Sequence, residues 1–298
     1  MTPLEAGFLL LTSRLGDPSR KVLTVAQFRN LTARVRSSGI SRENRDLLPG
    51  DLTALGYSAG AAARILSLLT DTQQLEYYLA KGRRSGCVPV TRAGERYPVA
   101  VRKRLGDESP GCLWAKGDLS LLDTPRISLV GSRDLLPQNR CFAEEVGFQA
   151  AKQGHTLVSG NARGADKTAQ EACLAAGGSV ICVVADQLER HRGKDRVLYL
   201  SEDAFDEAFS SQRALSRNRV IHCLGAITLV AQTSLHKGGS WSGAVQNLHR
   251  CWNKVFCFDD GTPAACELQQ LGALPVTRAD LSDYSRLAEG PYTLFDGI

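Results

Sequence analysis

The residues of this chain that could do chemistry gather where apolar runs break on glycine. Ile127-Ser128-Leu129-Val130 stops at Gly131-Ser132-Arg133, and Thr156-Leu157-Val158 stops at Ser159-Gly160-Asn161-Ala162-Arg163-Gly164. A third break, Lys237-Gly238-Gly239-Ser240, follows the apolar run Ala226 to Ala231, and the polar triplet Arg217-Asn218-Arg219 stands just before Val220-Ile221. A missing Cβ at a strand end serves two purposes: it allows a tight turn, and it lets an anion reach backbone N–H groups. Each loop also carries Arg, Lys or a hydroxyl, so together they read as a phosphate-binding rim. For any one loop the competing reading is a turn needed only for folding. Ser240 reads as a helix cap and donor beside an anion nest, and Trp241 either stacks a base or packs in the core.

Catalytic constellations are thin. Neither GxGxxG nor GxxxxGK[ST] is present, which leaves an ordinary dinucleotide enzyme or P-loop NTPase poorly supported. The five histidines lie in unlike contexts and none belongs to a GxSxG-type nucleophile motif. Asp166 and Glu171 form a carboxylate pair near the rim that fits the positive end of a helix dipole. The nine cysteines show no CxxC and no zinc spacing, and read as small core residues. The expectation is a non-enzymatic binding protein with no metal and no cofactor.

The elements that must hold this rim follow from the periodicity. Short apolar runs alternate with helical spacing (Phe142, Val146 and Ala150 between Pro137 and Gln153, then Lys167 to Ala176), giving the strand, turn, helix rhythm of an α/β doubly wound sheet. Further strands are expected at Ser179–Val184, Ala226–Ala231 and Val255–Phe258, with a loop over Asp186–Arg196 and a helical stretch from Asp203. In such sheets ligands bind beyond the carboxyl ends of the strands.

Residues 1–84 read as a separate module of short helices, Leu4 to Thr12, Val25 to Val35, Ala59 to Leu69 and Thr72 to Lys81, punctuated by Gly16, Gly39, Gly50 and Gly56. Gly56 ends one helix and Ser58 caps the next. The module resembles SAM or helix-hairpin-helix domains, with a plain helical packing unit as the bland alternative. Residues 85–298 form the Rossmann-like unit, whose first part, Ser85 to Pro125, reads as an extension strapped to the sheet edge. The formal charge of +5 over 298 residues permits a polyanionic partner without demanding one, and 43% hydrophobic residues exclude a disordered chain. No run approaches about 18 apolar residues, so a soluble cytoplasmic protein without membrane contact is expected.

In order along the chain, Arg96-Tyr97-Pro98, Leu113 to Leu119, Gly131-Ser132-Arg133, Ser159 to Asp166, Leu200-Ser201-Glu202 and Arg217-Asn218-Arg219 resemble the motifs of the DprA/Smf family of DNA-processing proteins. The resemblance implies an extended Rossmann fold that binds single-stranded DNA in a positive pocket, forms a homodimer and helps load the RecA recombinase in transformation or recombination. It also implies that the strand's phosphates are lined by Gly131, Ser132, Arg133, Ser159, Gly160, Arg163, Gly164, Arg217, Asn218 and Arg219. Lys237, Gly238, Gly239 and Ser240 join them as the suspected nest. The chain departs from the family at Ala214, where an aromatic is usual four residues before the Asn, at Gln170, where a histidine is usual, and in having no winged-helix tail after Gly261. The missing aromatic suits a rival reading, a nucleotide sensor or nucleotide-processing protein using the same cleft.

Overall fold

The structure, a computed structural model, describes residues 1–38, 47–202 and 204–289. Gly39, Asp203 and the segment ending at Ile298, which figure in the sequence reading, lie outside the described residues. Among the described residues five helices open the chain: α1 (Pro3–Thr12), α2 (Val25–Ser37), α3 (Pro49–Ala54), α4 (Ala59–Thr70) and α5 (Thr72–Arg84). Then come β1 (Val88–Thr91), α6 (Val99–Leu105), β2 (Cys112–Gly117), β3 (Arg126–Val130), α7 (Pro137–Lys152), β4 (Thr156–Ser159), α8 (Ala165–Ala175), β5 (Val180–Val184) and β6 (Val197–Glu202). The chain continues through α9 (Ser211–Leu224), β7 (Ile227–Val230), α10 (Gly238–Arg250), β8 (Lys254–Phe258), α11 (Pro263–Gln270), β9 (Leu274–Val276) and α12 (Tyr284–Glu289).

Among the described residues nine strands form one sheet in the order β1-β2-β6-β5-β4-β3-β7-β8-β9. From β6 to β9 all neighbours are parallel, while β1 and β2 add an antiparallel edge at β6. This is the doubly wound Rossmann-like sheet read from the sequence, with the segment after Ser85 strapped to its edge. Successive side chains in a strand point to opposite faces, so each strand feeds two cores. Leu157 and Cys182 pack under α7 and α8, whereas Val158 and Ile181 pack under α9 and α10. Where Cβ atoms would obstruct packing there is glycine: a Cβ at Gly147 of α7 would strike the Ala169 carbonyl of α8.

Several elements differ from the sequence reading, among them α6, β9 and α12, which it does not contain. β6 was not foreseen as a strand, because its apolar run Val197-Leu198-Tyr199-Leu200 is short and ends in Ser201 and Glu202, polar residues that the fold buries and bonds. The helix expected from Asp203 begins at Ser211, where the Ser210 hydroxyl accepts from the Arg213 amide at 3.1 Å.

The opening helices carry their own apolar cluster, including Leu23, Leu31, Leu52 and Ile65. α4 begins as expected, the Ser58 hydroxyl accepting from the Ala61 amide at 3.3 Å. Yet α1 and α5 also enter the main core through Leu9, Leu10, Leu75 and Tyr78. Tyr78, Trp114 of β2 and Phe205 form an aromatic triangle with centroids 4.6 to 5.3 Å apart. Gly82 lets α5 approach it, since a Cβ there would meet the Trp114 ring at 2.9 Å. The junction between residues 84 and 85 is therefore crossed by a shared core.

Beneath α9 and α10 lies a buried polar knot. His222 Nδ1 meets Thr228 Oγ1 at 3.2 Å and Asn247 Nδ2 at 3.0 Å, and Asn253 donates to the His222 carbonyl at 2.7 Å. Burial pushes the imidazole down to about 3 from its usual 6.5. Because the folded value lies below the unfolded one, the unfolded chain takes up this proton first as pH falls. The protein is expected to lose up to about 1.4 kcal/mol per pH unit from this group between roughly pH 6.5 and 3. Urea titrations of wild type and His222→Gln across that range check it: the stability gap between the two should narrow as pH falls, and parallel profiles would contradict the assignment.

Candidate nucleic-acid interface

At the carboxyl edge of β3, β4 and β5 the chain opens a cleft of about 460 Å³, lined among others by Arg133, Gly160, Arg163, Asp186, Phe209 and Arg217. Its floor is the guanidinium of Arg217, which α9 delivers from one face of the sheet. The side chain is only 8% exposed, and its Nε finds no hydrogen-bond partner among the described residues. Gly160 makes the room: a Cβ there would fall on the guanidinium itself. Behind it sits the buried carboxylate of Asp166, whose Oδ2 accepts from the Gly160 and Ala162 amides, both at 3.1 Å. Burial drives the Asp166 carboxyl up and the Arg217 guanidinium down, and each group's charge opposes the other's shift. The dipole role read for Asp166 is thus only part of its work: it fixes the loop and neutralises the floor.

The glycines are occupied differently from the sequence reading. A Cβ at Gly131 would press on the Ala165 methyl, and one at Gly164, whose φ is +85°, would strike the carbonyls of Ser132 and Arg133. The two loops are packed on each other, with the Ala165 amide donating to the Ser132 carbonyl at 3.0 Å and the Ser132 amide to Gln232 at 2.9 Å. Several N–H groups expected to face phosphate are therefore spent inside the protein, including those of Ser132, Gly160, Ala162 and Ala165. The crevice between β3 and β7, where the sheet reverses its winding order, is spanned by the Gln232 side chain, which accepts from Leu136 N and donates to the Asp134 carbonyl. The cleft accordingly opens over β4 and β5 instead.

Of the remaining expected residues, Arg133 and Arg163 stand at the mouth. Arg133 is exposed. Arg163 pairs with Asp134 at 2.7 Å, both exposed, in an ion pair of little energetic weight. Ser159 is fully buried, its hydroxyl accepting from Gln170 Nε2 at 2.5 Å, so it does not face the cleft. The residue where the family usually has histidine thus holds the strand end here.

Arg217, Asn218 and Arg219 are consecutive in a helix and project about 100° apart. Only Arg217 reaches the cleft. Asn218 donates to the Gly239 carbonyl at 3.0 Å, joining α9 to α10. Arg219 turns to a separate groove beside the opening helices, lying 3.4 Å from Glu202 and donating to the Glu108 carbonyl at 2.7 Å. Lys237, Gly238, Gly239 and Ser240 flank the far side of α9 and do not line the cleft. Lys237 is the residue preceding α10, not Ser240, whose hydroxyl bonds Thr233 at 3.1 Å. A Cβ at Gly239 would meet the Asn218 side chain at 2.9 Å, so that glycine serves helix packing. Trp241 is buried in the core, and the base-stacking alternative is removed.

Two residues escaped the sequence reading. Phe209 is 56% exposed and lines the cleft beside Ala214, the position where the family's aromatic is missing. Its loop is held by Arg213, which donates to the carbonyls of Ala185, Glu207 and Ala208 at 2.7 to 3.1 Å and to Ser201 Oγ at 2.8 Å. An exposed phenylalanine in a loop without regular structure was the available signal. Among the described residues no group of three His, Cys, Asp or Glu is placed to hold a metal ion, and no helix is long and apolar enough to cross a membrane.

A mostly parallel sheet flanked by helices, with a basic, aromatic-edged cleft beyond its strand ends, places the chain in the Rossmann-like class of folds. Residues 89–267 match the family described as DNA recombination-mediator protein A, and the chain belongs to that family. It is 32% identical over 142 residues to DNA processing protein DprA of Streptococcus pneumoniae, an alignment covering 44% of this chain and about half the length of that curated relative (50%). The crystal structure of DNA processing protein A from S. pneumoniae superposes with a TM-score of 0.65 at 23% identity, covering 91% of this chain and 99% of that one. DNA processing protein A from Helicobacter pylori, whose single-stranded DNA binding mode has been studied structurally, gives a TM-score of 0.55 at 23% identity, covering 68% and 94%.

The packed-loop geometry makes a contrast between two glycines testable. Gly164→Ala should destabilise the fold by about 1–3 kcal/mol, since it combines a positive φ with backbone oxygens that cannot yield. Gly160→Ala should cost less, because a flexible guanidinium can swing away. Urea denaturation of both variants reads the difference, and wild-type stability in Gly164→Ala would refute the packing account.

Proposed function

We propose that this protein binds single-stranded DNA in the cleft over β4 and β5, as the DNA-handling component of a recombination process. The observation that carries the reading is Arg217, a nearly buried guanidinium seated on Gly160, backed by Asp166 and aimed at open space. A planar fork of donors held there suits a phosphate, and Arg133 and Arg163 extend the positive field to the mouth. Phe209 adds a ring face on which a base can stack whatever its identity, which supplies the contact missing at Ala214. Phosphates and ring faces are read without reference to base edges, so little sequence preference is expected. Delivery of a RecA-type recombinase to the bound strand, a homodimeric state and a cytoplasmic location belong to the same proposal and rest on family membership.

The rival, a small nucleotide as the true ligand, is separated by competition. Anisotropy with a labelled oligothymidylate should show binding that weakens with salt and is displaced by unlabelled single strand far better than by mononucleotides or a matched duplex. Displacement by a mononucleotide at equal nucleotide concentration would overturn the polymer reading. Arg133→Ala should weaken binding about tenfold without lowering Tm, and Phe209→Ala should cost about 1–3 kcal/mol. Arg219→Ala, which faces the other groove, should bind nearly as wild type.

A further inference from the structure

Beside the cleft lies a second cavity of about 330 Å³ between the opening turns of α7 and α8, lined by Arg133, Arg140, Arg163, Lys167, Thr168 and the carboxylates Asp134 and Glu171, among others. Arg133 and Arg163 line both cavities, so the two adjoin. We propose that this second cavity is a phosphate subsite that receives the backbone of a single strand leaving the cleft, with Arg140 and Lys167 as its own cations. The inference rests on the single-strand reading of the cleft and extends it.

The placement of charge is the argument. A helix N-terminus carries partial positive charge, so stability alone favours carboxylates there. α7 has no acidic residue in its first turn and no side-chain cap, yet carries Arg140 one turn in. α8 lacks a side-chain cap as well, and its one first-turn acid, Asp166, turns away beneath the cleft to bond the Gly160 and Ala162 amides. In its first turn α8 presents the exposed Lys167 to the second cavity, with Thr168 beside it and Glu171 one turn further on. Arg140 and Lys167, one from each helix, thus join Arg133 and Arg163 around one concavity. Arg140 has a single weak partner, donating to Thr168 Oγ1 at 3.4 Å, and Asp134 is engaged by Arg163. Four cations against two carboxylates leave a net positive field, which a polyanion can neutralise. A strand bridging both cavities would pass over Arg133 and Arg163, the residues common to them.

The test uses the full chain with labelled oligothymidylates of about 4 and about 16 nucleotides, spanning the range of single-strand site sizes. The variant Arg140→Gln/Lys167→Gln is compared with wild type, and Phe209→Ala serves as the probe of the cleft. The double variant should bind the long oligonucleotide about tenfold more weakly, with a log–log salt slope shallower by about 1.4, the loss of two single-strand phosphate contacts. Its affinity for the short one should stay within about twofold of wild type. Its Tm should hold or rise, because cations are removed from two helix N-termini. Unchanged affinity and slope for the long strand, with Phe209→Ala still weakened, would overturn the second subsite and leave the cleft standing. An equal loss at both lengths would also overturn it, as a general field effect. Indifference of both oligonucleotides to Phe209→Ala, even with the double variant's long-strand loss, would overturn the cleft reading and with it the path from the cleft into the second cavity. Absence of oligonucleotide binding by wild type would overturn both.

Discussion

A guanidinium withdrawn from water is the constraint around which this site is built. Dehydrating a cation costs several kcal/mol unless charge and hydrogen bonds compensate, and Arg217 receives opposing charge from the buried Asp166 and, more weakly, from Asp186. Asp166 in turn is held by the Gly160 and Ala162 amides, which pins the turn after β4. That turn then packs, through Gly164 and Ala165, on the loop after β3. Charge placement, loop shape and strand-end packing are therefore one structure, and a change at any of them is felt at the cleft floor.

The same economy explains why backbone amides contribute less to the site than glycine-rich loops suggest. Several of the N–H groups that would cradle a phosphate are bonded within the protein, so affinity for an anion must rest chiefly on guanidinium and ammonium groups. Those charges are graded by position. Arg217 is nearly buried, whereas Arg133, Arg140 and Lys167 are exposed and screened by salt over a Debye length of about 10 Å.

Family differences become legible in this frame. Gln170 in place of histidine still reaches Ser159, so it keeps the end of β4 in order by a neutral hydrogen bond. Ala214 removes a ring from α9, and the loop tethered by Arg213 brings Phe209 to the same cleft from a different element. The opening helices are joined to the sheet through Tyr78, Trp114 and Phe205, so their position relative to the loops after β6 is set by packing and not by a linker.

Periodicity and glycine placement in the sequence alone sufficed for the doubly wound sheet, the helices α7 and α8 and an extension at the sheet edge, because these depend on local alternation and on turns that only small residues permit; the antiparallel direction of that edge came from the structure. Sequence order also identified the family. What it did not decide was the direction of side chains. Three consecutive residues, Arg217, Asn218 and Arg219, look equivalent in a string, yet helical geometry sends one to the cleft, one to α10 and one to a different groove. Whether a glycine faces a ligand or a neighbouring loop is equally invisible, since the atoms that fill the vacant Cβ position come from residues tens of positions away, as Ser132 does for Gly164 and Arg217 for Gly160. Phe209 and Arg140 join the basic surface only because long-range packing places their elements there, and no local pattern encodes a contact made across the sheet.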